Sequence, residues 1–298
     1  MIGHLAKGRS VGIVGVGNMG GAMALRLLEQ GWDVGVRDID AAREIELVHR
    51  GARAFATPAA LAAVHRVVIV AVVDAAQCEA VLFGGDGVAS AALAGACVML
   101  CPTIGPASTE SLVARLGERG IDCIDAPMSG GPARARDGSM SLIVACTDPT
   151  FAAQEALIRA LSTKVFRVGV RCGDGARTKL VNNLLAAINL AGAAEALALA
   201  ERVGLDAART LAVLEQSSGQ SWIGSDRMRR AIAGDYAPRA HTMLLAKDST
   251  LALGMANEAA FDASLGRAAA ARFAAACAAG FGALDDASLL ALLRRSGA

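Results

Sequence analysis

The sequence predicts an α/β protein. A doubly wound, Rossmann-type and mostly parallel sheet occupies residues 1–170, and an all-helical domain occupies 171–298, joined through a long helix over about 174–203. Two observations predict this. Between Ser10 and Val168, short apolar runs alternate with stretches of helical period, the pattern of strands returned by helices in a parallel sheet. After about residue 170 the strand-like runs stop, while helical periodicity continues to the C-terminal end.

Taken in order, Ser10 to Gly15 reads as a strand running into Gly15-Val16-Gly17-Asn18-Met19-Gly20. Met23, Leu27 and Leu28 then keep a helical period as far as Gly31. Trp32 to Arg37 is the second strand, with Asp38 at its end. Strand, GxGxxG turn, helix, strand and acid make up the dinucleotide-binding fingerprint. The first glycine allows the tight turn, the second lets backbone approach a pyrophosphate, and the third lets helix and strand pack closely. The helix N-terminus then offers free N–H groups to the phosphates. Asp38 can accept hydrogen bonds from the adenosine ribose hydroxyls and would repel a 2′-phosphate, and Ile39 after it offers that phosphate no partner, so NAD is expected over NADP. Arg37 and Arg43 read as solvated surface arginines.

The alternation continues with a strand at 53–55, a helix at 58–63, a buried strand at 66–73 ending at Asp74, and a helix at 75–82. A strand at 96–101, a helix at 106–119 and a strand at 121–126 follow, then a strand at 140–146, a helix at 149–161 and a last strand at 164–168. Ligands of such sheets sit beyond the carboxyl ends of the strands. That makes Val73-Asp74, Pro102-Thr103 and Pro127 to Gly131 candidate site loops. In the last of these, the Ser129 hydroxyl and the N–H groups of Gly130 and Gly131 suit a carboxylate, with a plain Gly-Pro turn as the alternative. The long helix opens with Gly173-Asp174-Gly175 and carries Lys179 and Asn183 four residues apart, on one face. Beyond Gly204, helices are expected at 207–216, 222–232, 241–258, 263–279 and 285–295.

The bulk properties exclude several functions. The net charge is +1 and aromatics are 3%, with no basic block, so no nucleic-acid surface is expected. The 54% hydrophobic content is largely alanine. Val67 to Val73 is too short to span a bilayer, and Leu184 to Ala200, with Asn189 and Glu195, reads as a buried helix, so no membrane partner is expected. The first ten residues read as a short tail without a signal peptide. Seven scattered cysteines with no CxxC fit a reduced, cytoplasmic protein, and histidines 4, 49, 65 and 241 lack metal-ligand spacing, so no metal is expected.

Four motifs read together resemble those of the β-hydroxyacid dehydrogenases, the family of 3-hydroxyisobutyrate dehydrogenase and tartronate semialdehyde reductase. They are GIVGVGNMGGAMA (12–24), DAPMSGG (125–131), GDGARTKLVNN (173–183) and KDSTLAL (247–253). The resemblance implies that Lys179 is the catalytic lysine and that Asn183 helps hold the substrate. It implies that Ser129, Gly130 and Gly131 grip the substrate carboxylate, that Thr103 lies near the nicotinamide, and that Lys247 is a second lysine approaching both. It also implies pairing of subunits through the helical domains, as a homodimer or homotetramer. Cys101-Pro102 departs from a usually serine-rich stretch, and Met128 stands where valine is usual.

Oxidising an alcohol by hydride transfer needs a base for the hydroxyl proton, and a lysine serves if burial or a like charge, such as Lys247 or Arg177, lowers its pKa. The alternative is a solvated lysine at a helix start. SSGQSWIGSDRM (217–228) leans toward relatives acting on sugar acids such as threonate, with Gln220, Ser221 and Trp222 facing substrate hydroxyls, against ordinary packing of Trp222. 3-Hydroxyisobutyrate and tartronate semialdehyde are the alternative substrates. A non-catalytic dinucleotide-binding protein and an imine reductase are the alternative functions, and the presence of Lys179 counts against both.

Overall fold

The computed structural model describes residues 9–295, so all but the last two residues of the expected N-terminal tail lie outside it. The chain divides into two compact units, the first running through Lys179 and the second beginning at Leu180.

The first unit carries β1 (Ser10–Val14), α1 (Asn18–Glu29), β2 (Asp33–Arg37), α2 (Ala42–His49), β3 (Arg53–Ala54), α3 (Pro58–Ala62), β4 (Val67–Val70) and α4 (Ala75–Phe83). It continues with β5 (Cys97–Leu100), α5 (Pro106–Gly117), β6 (Asp122–Asp125), β7 (Met128–Ser129), α6 (Gly131–Asp137), β8 (Ser141–Ala145), α7 (Asp148–Leu161) and β9 (Lys164–Gly169). The sheet order is β3-β2-β1-β4-β5-β6-β8-β7, with β9 on β8. The pairs from β3 to β6 are all parallel. The strand order reverses at β1, which pairs with both β2 and β4, and this is the switch point where such sheets leave a crevice.

The central strands β4 and β5 are buried along their whole length, because helices cover both faces; this is why they read as unbroken apolar runs. Beyond β6 the direction changes, with β8 antiparallel to β6 and β7 and β9 parallel to β8.

Two helices of this unit do not show in the sequence pattern. The outward face of α2 carries Ile45 and Val48, both exposed, so its apolar residues do not fall on one stripe. The short α6 buries only Ala135 and is marked by Pro132 at its start and left-handed Gly138 at its end.

The second unit takes α8 (Asp174–Arg202) from Leu180 on, then α9 (Ala207–Glu215), α10 (Trp222–Ile232), α11 (Thr242–Glu258), α12 (Ser264–Ala276) and α13 (Leu289–Arg295). Ala187, Leu190, Ala194 and Leu197 line the buried face of α8 and pack in one core with Met228, Leu245, Phe273 and Leu289. The small alanines let helix axes approach closely. The expectation of a buried helix over 184–200 needs correcting. The opposite face of α8 exposes Val181, Leu185, Leu199 and Val203. Glu195 is on that open side too, 3.4 Å from Arg272. The helix expected to 279 is regular only to Ala276 and passes into a wider turn over Cys277–Phe281.

Candidate active site

The loop after β1 is shaped by its glycines. Gly15 has φ +90°, and a Cβ on Gly20 would lie 1.9 Å from the Gly15 carbonyl oxygen, so α1 starts directly against the turn. Gly17, Asn18 and Met19 form the end of the turn and the first residues of α1, where the free N–H groups stand. A cleft of about 460 Å³ borders Gly17 and Asn18, lined also by Arg43, Glu46 and Arg136. These features fit a dinucleotide, with the pyrophosphate at the start of α1.

Asp38 is buried, and its carboxylate holds the loop: Oδ2 accepts the Val16 N–H at 2.8 Å and Oδ1 accepts the Asp40 N–H at 3.0 Å. A carboxylate has about four acceptor positions, so two are left for a ribose. Arg43 is an exposed surface arginine, and it stands beside the glycine turn. Its Nη1 lies 2.9 Å from where a Gly17 Cβ would stand, and its Nε is 3.4 Å from Asp40. Arg37 likewise pairs with Glu44 at 3.5 Å.

The other loops of this unit emerge from the same carboxyl edge, since β1, β2, β4, β5 and β6 run parallel. Val73 is exposed, its N–H donating to Gln77 Oε1 at 2.9 Å, and Asp74 caps α4. Thr103 is partly buried in the loop before α5. The DAPMSGG stretch is more than a turn. Met128 and Ser129 form β7, and Gly130 and Gly131 follow with φ of +129° and +77°.

Asp125, at the end of β6, is the residue that sequence reasoning missed. It is 2% exposed. Its Oδ2 accepts the N–H groups of Gly173 at 2.7 Å and Ala176 at 3.0 Å, and the Gly175 N–H adds to these. A Cβ on Gly175 would sit 2.8 Å from this carboxylate. Burial pushes the Asp125 carboxyl above its ordinary value, while the backbone N–H groups pull it down. The first turn of α8 is thus pinned to the carboxyl end of β6, and Lys179 follows three residues after Ala176. Lys179 is buried at 7% exposure, which removes the solvated-lysine alternative. Arg177 is ion-paired to Glu110 at 2.8 Å and to Asp174 at 3.3 Å, so it does not present the bare like charge expected of it. The signal for Asp125 was an acid at the carboxyl end of a strand, where ligands of such sheets sit.

In the second unit, Asn183 is buried and donates from Nδ2 to Asp248 Oδ2 at 2.6 Å. Lys247 Nζ stands 3.1 Å from Asp248 Oδ1, an ionic contact off the hydrogen-bond direction. Asp248 therefore organises both the asparagine and the second lysine, which sequence reasoning had named without it. Ser221 Oγ accepts the Gly224 N–H and caps α10, so it is a capping residue first. Trp222 is 47% exposed, with Arg227 5.9 Å from its ring centre, which sets aside the packing alternative. Among the described residues, no group of three or more His, Cys, Asp or Glu side chains could hold a metal ion.

Residues 10–169 match the family profile described as the NAD binding domain of 6-phosphogluconate dehydrogenase. Residues 173–293 match the profile described as NAD-binding of NADP-dependent 3-hydroxyisobutyrate dehydrogenase. The L-threonate dehydrogenase of Cupriavidus necator is 36% identical over 95% of both chains. The chain belongs to the β-hydroxyacid dehydrogenase family. It is accordingly an NAD(P)-binding oxidoreductase that acts on the alcohol of a hydroxy acid by hydride transfer. The crystal structure of 3-hydroxyisobutyrate dehydrogenase from Salmonella typhimurium superposes with a TM-score of 0.89, at 33% identity over 95% of this chain and 99% of that one. Psf3, solved with NADP+ and 2-OPP, superposes with a TM-score of 0.88, at 26% identity over the same 95% and 99%.

Proposed function

We propose that this family member oxidises a small sugar acid, threonate or one close to it, with NAD, and that Lys179 is its general acid and base. The observation that carries this is a buried lysine on a helix whose first turn is pinned, through Asp125, to the loop edge that also bears Ser129, Gly130 and Gly131. The sugar-acid reading is supported by the likeness to the Cupriavidus necator enzyme.

In the proposed reaction, the Ser129 hydroxyl and the Gly130 and Gly131 N–H groups bind the substrate carboxylate. Neutral Lys179 accepts the proton of the substrate hydroxyl as the carbinol carbon becomes a carbonyl carbon, and its ammonium returns the proton in the reverse direction. A bound nicotinamide, when present, supplies the hydride acceptor. By motif, Asn183 and Lys247 are assigned to the substrate as well. Asp248 keeps the asparagine amide turned and stands beside the Lys247 Nζ, an arrangement that suits hydroxyl and carboxylate oxygens. Trp222 is assigned to the distal hydroxyls.

Preference for NAD is supported by Asp38, a buried carboxylate where a 2′-phosphate would have to come, with Ile39 95% exposed beside it. The exposed apolar stripe of α8 supports assembly as a homodimer or homotetramer, since a second copy would cover Val181, Leu185, Leu199 and Val203.

Purified protein assayed with NAD and NADP against C3–C5 hydroxy acids should show its highest kcat/KM with a C4 sugar acid and NAD. Lys179→Ala should lower kcat by about 10²- to 10⁴-fold. Failure of every acid to support nicotinamide reduction by the wild type would overturn the reading.

A further inference from the structure

The turn that leads into α8 carries a thiol next to the Asp125 anchor. Cys172 is partly exposed, and its Sγ lies 3.4 Å from the Ala145 carbonyl oxygen and 3.5 Å from that of Cys123. Cys123 is on β6 two residues before Asp125, so both side chains project from the same face of the strand. Cys172 and Gly173 are the adjoining residues over them: the Cys172 Sγ reaches the Cys123 carbonyl oxygen, and the Gly173 N–H donates to Asp125. Cys123 and Cys172 share one apolar layer of the sheet, whereas Cys97, Cys101 and Cys146 belong to the layer on the other face.

The two thiols are unequal. The hydrogen bond from Cys123 holds the Cys172 thiol below its ordinary value, against the effect of burial. The same hydrogen bond and burial push Cys123 well above its own. An accessible thiol of lowered pKa beside a buried second thiol has the make-up of an attacking and a resolving cysteine.

We infer that Cys172 and Cys123 form an oxidisable pair, closed to a disulfide by a hydroperoxide, and that closing it loosens the Asp125 anchor of α8. In the first step the Cys172 thiolate attacks the peroxide. A sulfur–oxygen bond forms, the oxygen–oxygen bond breaks, and hydroxide leaves. In the second step the Cys123 sulfur attacks the Cys172 sulfenic acid. The sulfur–sulfur bond forms, the sulfur–oxygen bond breaks, and the departing oxygen leaves as water with the Cys123 proton. Overall, two electrons pass from the thiol pair to the peroxide. A disulfide needs its sulfurs about 2.05 Å apart, much closer than hydrogen-bonded thiols, so the turn at 172–173 must move toward β6. Gly173 moves with it, and its N–H is one of those that anchor α8 on Asp125 Oδ2. The effect on the dehydrogenase rests on the role proposed above for Lys179, whereas the linkage does not.

The test treats the full-length protein with hydrogen peroxide, blocks remaining thiols, and maps peptides by mass spectrometry. Hydrogen exchange at Gly173 and Ala176 is followed in parallel. The expected result is a Cys123–Cys172 linkage with faster exchange at both amides, reversed by dithiothreitol. Cys123→Ser should stop at a sulfenic acid on Cys172 that dimedone traps, and Cys172→Ser should give neither product. With a hydroxy acid that the enzyme turns over, oxidation should lower kcat by about 10- to 100-fold, the scale of a displaced catalytic group. A Cys172 that stays a thiol, a linkage that maps to Cys146, or unchanged exchange at the two amides overturns the inference. Absence of hydroxy-acid turnover in the reduced protein counts only against the proposed function, because linkage and exchange are read without it.

Discussion

Asp125 separates two ways a buried carboxylate can organise a site, by its charge or by its shape. Removing it with Asp125→Ala leaves the Gly173 and Ala176 N–H groups, both buried, without their acceptor. Each unmet donor costs ~1–3 kcal/mol, so ~2–6 kcal/mol is lost in all. At ~2–4 °C per kcal/mol for a unit of this size, the melting midpoint should drop by ~4–24 °C. Asp125→Asn should behave differently. Burial already pushes this carboxyl above its ordinary value, so the charge is disfavoured where it sits, and one amide oxygen can take the place of Oδ2, which accepts both bonds. The loss for the asparagine variant should stay within ~1 kcal/mol, the scale of one ordinary hydrogen bond. In kinetics with the best hydroxy acid, the alanine variant should lose kcat by ~10²-fold through a displaced Lys179, with KM for the dinucleotide little changed. Thermal melts and initial rates of both variants decide it. If asparagine is as damaging as alanine, the charge and not the geometry holds α8, and the reasoning fails.

Three further outcomes follow from the same structure. Gly20→Ala places a methyl 1.9 Å from a backbone oxygen that cannot turn aside, so the turn must open; a rise in KM for the dinucleotide together with a lower melting midpoint is expected, and unchanged values would refute the close packing. Asp38→Asn keeps an acceptor for the Val16 N–H but removes the charge, and should raise the NADP-to-NAD ratio of kcat/KM by ~10-fold or more, with Arg43 nearby to favour the phosphate. His65 is buried, with Nδ1 2.6 Å from Ser10 Oγ and Nε2 without a partner among the described residues. Burial holds its imidazole below the ordinary value of 6.5, so below that pH the unfolded chain takes up the proton first. Stability is therefore full above about pH 6.5 and falls as the pH drops below it. The melting midpoint of the wild type should decline between pH 7 and 5.5, and a His65→Gln variant should show a flatter profile.

The strands from β1 to β6 and the glycine turn were legible because both depend on local pattern. Strands buried on both faces, such as β4 and β5, are apolar throughout, and a helix packed this closely on a turn needs glycine where the two touch, at Gly20. The helix α2 was hidden because Ile45 and Val48 face solvent, which breaks the amphipathic period. The apolar α8 was misread as buried for the converse reason: Val181 and Leu185 look the same in sequence whether a neighbour covers them or nothing does. At the site, Lys179, Asn183 and Lys247 stood out through their motifs. Asp125 and Asp248 did not, because their importance lies in hydrogen bonds to residues 48 to 65 positions away in the chain, which no local pattern records.

The helix that begins in one compact unit and ends in the other limits how such chains can be recombined. A chimera cut near residue 170 transfers Gly15 to Gly20, Asp38 and Asp125 but leaves Lys179 with the recipient, so the acid that anchors the helix and the helix itself come from different parents. A cut just after Lys179 keeps that pair together, but it leaves only Asp174 to Lys179 as a helical stub, far shorter than the ~12 residues at which an isolated helix begins to hold. Cofactor preference can therefore be grafted near residue 170 only if position 125 and the turn at 173–176 are matched to each other.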